Sequence, residues 1–183
     1  SMLGFAPRGE SSSISKEKPT LPATVVDADG LNALAAWEGN WWEQVTAQLV
    51  LTPHPGEMGR LLKRESKEIQ QNRLASARDA AARFGQVVIL KGAHTIVAAP
   101  DGQVTISPYA NDALAKAGSG DVLAGIIGAL LGQGMTPYDA ARLGVIAHGL
   151  AGEQLRETTG GQGALASDLL DLLPTIWQKI AQL

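Results

Sequence analysis

The stretch "QVVILKG", residues 86–92, constrains the fold more than any other, because Val87 to Leu90 are apolar without interruption. A strand with no polar face is buried on both sides, as happens when helices cover each face of a parallel sheet. Two short strand candidates precede it, in "ATVVDAD" and "QLVLTPH". The segments between them read as helices: "GLNALAAW", and "SKEIQQNRLASARDAAARFG" as one Ala- and Arg-rich helix closed by Gly85 at a C-cap. "TIVAAPDGQVTIS" differs, since two short runs flank Pro100-Asp101-Gly102, which predicts a hairpin at the antiparallel edge of a mixed sheet. Three helices follow: an amphipathic one after "AGSGD", one starting near Thr136-Pro137, and one over "ASDLLDLLPTIWQKIAQL" broken or kinked at Pro174. This order describes an α/β layered fold. Residues 1–20, containing "RGESSSISKEKPT", read as a flexible arm or loop, and residues 21–183 as one domain.

The chain has 183 residues, enough for one good-sized core. A formal net charge of −3 supplies no basic field for nucleic acid, so a small-molecule partner fits better. The absence of cysteine excludes disulfides, thiolate nucleophiles and Cys-ligated metals. The longest apolar stretch, Val122 to Leu131, falls short of the roughly 20 residues that cross a bilayer. No signal-peptide h-region is visible at the start, so no membrane partner is expected and the cytoplasm is the expected compartment.

Four segments carry candidate chemistry. In "AGSGD", residues 117–121, free amides at a helix start and the positive end of the helix dipole make an anion site that glycines leave open to a phosphate. Asp121 is then either a base beside that site or a first-turn residue that complements the dipole, with Ser119 as the cap. "LTPHPGE" follows a strand, and its prolines bracket His54, whose ring either makes a pre-organised polar contact or faces water; Glu57 reads equally as a helix cap. In "ILKGAHT", Lys91 and Gly92 either meet a nucleotide phosphate or form a surface turn before the hairpin. Asp27 and Asp29 share a face if the first strand extends that far, a paired-carboxylate metal site, or one of them caps the next helix. The tryptophans of "AAWEGNWWEQV" read as packing rather than a base-stacking platform.

Taken in order, "VVDADGLNAL", "LTPHPGEMGRLL", "VVILKGAHTIVAAPDG" and "AGSGDVLAGIIGALLGQGMTPYDAA" resemble the ADP- or ATP-dependent NAD(P)H-hydrate dehydratases of the ribokinase-like superfamily. The Gly-x-Gly-Asp element marks only the superfamily, whereas Thr-Pro-His-Pro-Gly-Glu is more specific. The resemblance implies a three-layer fold with a mainly parallel central sheet flanked by helices. It also implies a reaction, in which a nucleotide phosphorylates the hydroxyl of the hydrated nicotinamide ring of NADHX or NADPHX and phosphate is eliminated to restore NADH or NADPH. Carried over residue by residue, Asp121 is the base for the hydroxyl, and Gly118, Ser119 and Gly120 hold the transferring phosphoryl group. Lys91, Gly92, Ala93, His94 and Thr95, with Gly120, contact the nucleotide; His54 and Asp121 contact the hydrate. Such chemistry asks the protein mainly for positioning and charge stabilisation, and the hydroxyl proton becomes acidic as the O–P bond forms.

The donor implied is ADP or ATP, with Mg2+, and the partner implied is an NAD(P)HX epimerase, fused upstream or separate. Exposed edge strands and a glycine-rich helix are compatible with a homo-oligomer. The family fold opens with further strands and a Gly-Pro-Gly-type loop ahead of Val25, which this chain does not show. The expectation is therefore a domain truncated at its N-terminus, lacking part of the sheet and one wall of the substrate site. Two other readings stand beside the dehydratase: a ribokinase-like kinase of a vitamin precursor, and a non-catalytic nucleotide-binding fragment.

Overall fold

The structure is a computed structural model. It describes residues 21–160 and 163–182, so the expected arm over residues 1–20 lies outside the described residues. In chain order it contains β1 (Thr24–Val26), α1 (Asp29–Ala36), β2 (Leu49–Leu51), α2 (Pro55–Leu62), α3 (Ser66–Gln71), α4 (Arg73–Phe84) and β3 (Val87–Leu90). The hairpin strands β4 (Ile96–Ala98) and β5 (Val104–Ile106) follow, and then α5 (Ser119–Gly132), α6 (Pro137–Thr159) and α7 (Asp168–Ile180).

The five strands form one sheet in the order β1-β2-β3-β4-β5. β1, β2 and β3 are parallel, and β4 and β5 are added antiparallel, with Leu90 opposite Ile96 and Ile96 opposite Ile106. All four residues of β3 are buried, as its unbroken apolar run requires. Alternate side chains enter opposite cores: Val88 and Leu90 join Leu49, Leu51, Met58, Ile69 and Phe84 against α2, α3 and α4. Val87 and Ile89 join Val50, Leu123, Ile126, Ile127 and Val145 against α5 and α6. A third cluster, with Ala147, Ala151, Leu155, Leu169 and Ile176, fastens α7 to α6. The sheet is thus the middle of three layers.

One expectation needs correction. The helix expected over residues 66–85 is two helices, broken at Asn72, whose φ of −129° and ψ of 44° are not helical. The break lets Ile69 enter the core and turns Arg73 toward the end of β3, where its guanidinium donates to the carbonyls of Leu90 (3.2 Å) and Lys91 (3.3 Å). Of the two alternatives at Pro174, the break does not occur: α7 is helical from Asp168 to Ile180. The carbonyl that loses its intrahelical donor belongs to Leu170, which is 52% exposed, so water can satisfy it. The tryptophan-rich turn is packing: Trp41 is buried, with its ring and that of Trp42 each 5.1 Å from Phe84. Among the described residues no helix is long and apolar enough to cross a membrane.

Candidate active site

The C-terminal ends of the three parallel strands converge, as they must in a sheet whose strands run side by side in one direction. Thr52 donates its amide to the Val26 carbonyl (3.2 Å), and Lys91 donates its amide to the Pro53 carbonyl (2.9 Å), so the loops after β1, β2 and β3 are stitched together. Across this seam the Lys91 ammonium lies 2.8 Å from Asp27 Oδ1 and 3.9 Å from Glu57 Oε2. Asp27 is therefore an ion-pair partner. Since β1 ends at Val26 and Asp29 is the first residue of α1, the face-sharing expected of the two aspartates does not arise.

His54 begins α2 and acts on its own helix. Its Nδ1 accepts from the amides of Gly56 (3.0 Å) and Glu57 (3.3 Å), while Glu57 Oε2 accepts from the His54 amide (2.8 Å). This reciprocal arrangement satisfies orphan donors at the helix start and places the imidazole proton on Nε2, 3.5 Å from Glu57 Oε1. The His54 side chain is half exposed and lines none of the cavities at the site.

The turn before α5 is built on Gly118, whose φ of 84° suits a residue without Cβ. Ser119 does not cap the helix, contrary to one of the two readings above: its hydroxyl lies 3.0 Å from Nε2 of His148 in α6. Its amide is also occupied, by the Lys116 carbonyl at 3.2 Å. The amides of Gly118, Gly120 and Asp121 donate to no acceptor among the described residues, so these three remain for an anion. A Cβ on Gly120 would stand 3.3 Å from Lys91 Nζ and 3.6 Å from Asp27 Oδ2, so the turn rests directly over the ion pair. The Lys91 charge and the helix dipole thereby reinforce one another at one place.

This turn divides two cavities. On one side, Lys91, Gly92, Ala93 and Thr95 face Ser119, Gly120 and His148, with Tyr109 and Asn111 at the outer end. On the other, Asp121 sits at the mouth of an apolar groove of about 840 Å³ between α5 and α7, walled by Val122, Ile126, Leu173 and Trp177. His94 is the exception in its segment, because its Nδ1 lies 3.1 Å from the Ser107 carbonyl and its amide donates to the Tyr109 carbonyl, tying hairpin to loop.

His148 escaped the sequence reading altogether. Burial pushes its imidazole down to about 4, the nearby Lys91 charge acts in the same direction, and the Ser119 backbone only partly offsets them. The signal available was one titratable residue in the small-residue stretch "VIAHGLAG" of an otherwise core-facing helix surface. Its partner, 29 residues away on another helix, was not readable from either segment.

A family model described as NAD(P)H-hydrate dehydratase matches residues 6–175. The bifunctional NAD(P)H-hydrate repair enzyme Nnr of Moorella thermoacetica is 48% identical over 158 residues, 86% of this chain and 30% of that protein. The ADP-dependent (S)-NAD(P)H-hydrate dehydratase of Neisseria meningitidis is 43% identical over 79% of this chain and 50% of its own length. Among solved structures, the ADP/ATP-dependent NAD(P)H-hydrate dehydratase of Bacillus subtilis, co-crystallised with ATP and Mg2+, superposes with a TM-score of 0.76 at 34% identity, covering 86% of this chain and 55% of that one. The chain thus spans about a third to a half of the length of these curated relatives.

Proposed function

The chain belongs to the NAD(P)H-hydrate dehydratase family, and from that premise we propose that its site transfers a phosphoryl group from ADP or ATP to the ring hydroxyl of NADHX or NADPHX. Asp121 takes the hydroxyl proton, the hydroxyl oxygen forms its bond to the terminal phosphorus, and the bond from that phosphorus to the nucleotide breaks. The electron pair of the ring nitrogen then expels phosphate, a proton leaves the adjacent ring carbon, and NADH or NADPH is restored. The protein's contribution to this second step is to have replaced hydroxide by a better leaving group.

One observation carries this reading: the first turn of α5 is the shared wall of two cavities. Its free amides and Lys91 belong with the segment Lys91–Thr95 on one side, and the Asp121 carboxylate lies on the other. A donor bound on one side and an acceptor on the other would meet across the turn, which is what in-line transfer needs. In this reading Gly118 and Gly120 hold the transferring group, Ser119 acts through its side chain, and His54 meets the hydrate with Nε2.

Magnesium fits as an ion brought in on phosphate. Among the described residues no three metal-ligating groups gather, Asp27 is engaged by Lys91, and Glu57 is engaged by the His54 amide. An ion that keeps waters and phosphate oxygens as ligands needs no protein cage. The same reading takes residues 21–183 as one domain in the cytoplasm, supplied with the reactive epimer by an epimerase, fused or separate.

The test uses the full-length protein with NADHX and either ADP or ATP. The near-ultraviolet absorbance of reduced nicotinamide should return, with one inorganic phosphate released per turnover. No recovery with either nucleotide refutes the reading, and a stable phosphorylated product without phosphate release makes the protein a kinase instead. Asp121→Asn should lower turnover by roughly a hundredfold or more while ADP still binds; unimpaired turnover would remove Asp121 from the mechanism.

A further inference from the structure

α6 presents one face to the site in steps of four residues. A Cβ on Gly144 would stand 2.7 Å from Ile127 of α5, and one on Gly152 would stand 2.6 Å from Leu114, so α6 lies close against its neighbours on this face. His148, midway between these two glycines, points at the start of α5 and meets the Ser119 hydroxyl at 3.0 Å. The imidazole is 8% exposed, and its other ring nitrogen, Nδ1, has no hydrogen-bond partner among the described residues. His148 lines the cavity shared with Lys91 and Gly120.

Ser119 occupies an unusual place. It separates the free amide of Gly118 from those of Gly120 and Asp121, its own amide is taken by Lys116, and its hydroxyl makes no cap hydrogen bond to the helix. Of the two peptides that flank it, the preceding one carries its own occupied amide and the following one carries the free Gly120 amide. Rotating the following one would swing a donor off an incoming anion, and Gly118 and Gly120 on either side supply no side chain to resist it. The preceding peptide is held by backbone hydrogen bonds, from the Ser119 amide to Lys116 and from the Val122 amide to the Gly118 carbonyl, and the contact from α6 adds a side-chain restraint at Ser119 itself.

We propose that His148 is a positioning residue for the phosphoryl-binding turn: by holding the Ser119 hydroxyl through Nε2, it fixes Ser119 at the centre of the turn and so the peptide that carries the free Gly120 amide. It acts through Ser119 and does not itself touch the transferring group. The inference rests on the proposed use of this turn for a phosphoryl group.

The experiment is a double-mutant cycle in the full-length protein, with Ser119→Ala, His148→Leu and the double variant, and with His148→Gln as the conservative replacement. ADP and ATP affinity, kcat, KM for NADHX and Tm are measured for each. His148→Leu and Ser119→Ala should each reduce kcat by roughly tenfold to a hundredfold and weaken nucleotide binding, with KM for the hydrate nearly unchanged. The double variant should be no worse than His148→Leu alone, and His148→Gln should recover most of the loss. Wild-type kcat and nucleotide affinity in a folded His148→Leu overturn the proposal, as do multiplicative losses in the double variant or a glutamine no better than leucine. If Tm falls while kcat per folded molecule holds, the pair is only structural. Wild-type protein that binds nucleotide but does not restore NADH would instead refute the assigned reaction, and the affinity cycle would still decide the role of His148.

Discussion

Acidification should weaken the fold through His148 before it acts through most carboxylates. Above pH 6.5, the imidazole's ordinary value, it is uncharged in both folded and unfolded chains and adds no pH dependence. Below that value the unfolded chain takes up a proton, while the buried ring refuses it until about pH 4, so stability falls with acid across this window. At about 1.4 kcal/mol per pH unit, the gap sets a ceiling of about 3 kcal/mol, of which about 2 kcal/mol should be lost between pH 7 and pH 5. The assay is urea denaturation of wild type and His148→Gln at pH 7, 6 and 5. The variant carries every other titrating group, so the difference between the two curves isolates the imidazole. Wild type should lose about 2 kcal/mol more than the variant over this range. A difference that stays constant with pH would show that the ring is already protonated, or is solvated, in the folded protein.

Gly120→Ala places a methyl 3.3 Å from Lys91 Nζ and 3.6 Å from Asp27 Oδ2. It should weaken nucleotide affinity about tenfold with Tm almost unchanged; calorimetric titration with ADP checks it, and an unaltered affinity would separate the turn from the ion pair beneath it. Gly149→Ala drives its methyl into the Tyr109 ring. It should cost about 1–3 kcal/mol by chemical denaturation, and a neutral result would mean that the loop carrying Tyr109 moves freely.

The layered fold was legible wherever one segment carried its own reason. The unbroken run at Val87–Leu90 announced burial on both faces, Pro100-Asp101-Gly102 announced the hairpin, and Thr136-Pro137 announced a helix start, where the structure adds a cap, the Thr136 hydroxyl accepting from the Asp139 amide. What could not be read depends on partners far away in the chain. The break at Asn72 is imposed where Arg73 finds the carbonyls of Leu90 and Lys91, in a segment whose own pattern is helical throughout. Lys91 and Asp27 are 64 residues apart, and neither motif by itself says that they pair. Ser119 has the composition of a cap, but it is the first residue of α5 rather than the residue at the cap position, and its buried hydroxyl is satisfied by the imidazole on α6. His54 is the intermediate case: two prolines and a glutamate at the third helical position encode its cap locally, though histidine is an uncommon residue there.

Among the described residues the order of the strands in the sheet repeats their order in the chain, β1 to β5, with no strand inserted between sequential neighbours. Each pairing therefore closes only the segment between consecutive strands, and loop-closure entropy is met in small instalments rather than in one long-range search. Such a sheet can grow by accretion, each new strand laid on the edge that the preceding one has just made. The helices α5, α6 and α7 that cover one face all follow the five described strands in the chain. The turn before α5 meets Lys91 and Asp27 only when α5 docks across the longer segments between them, so folding assays that follow sheet formation and those that follow docking of α5 should report different times.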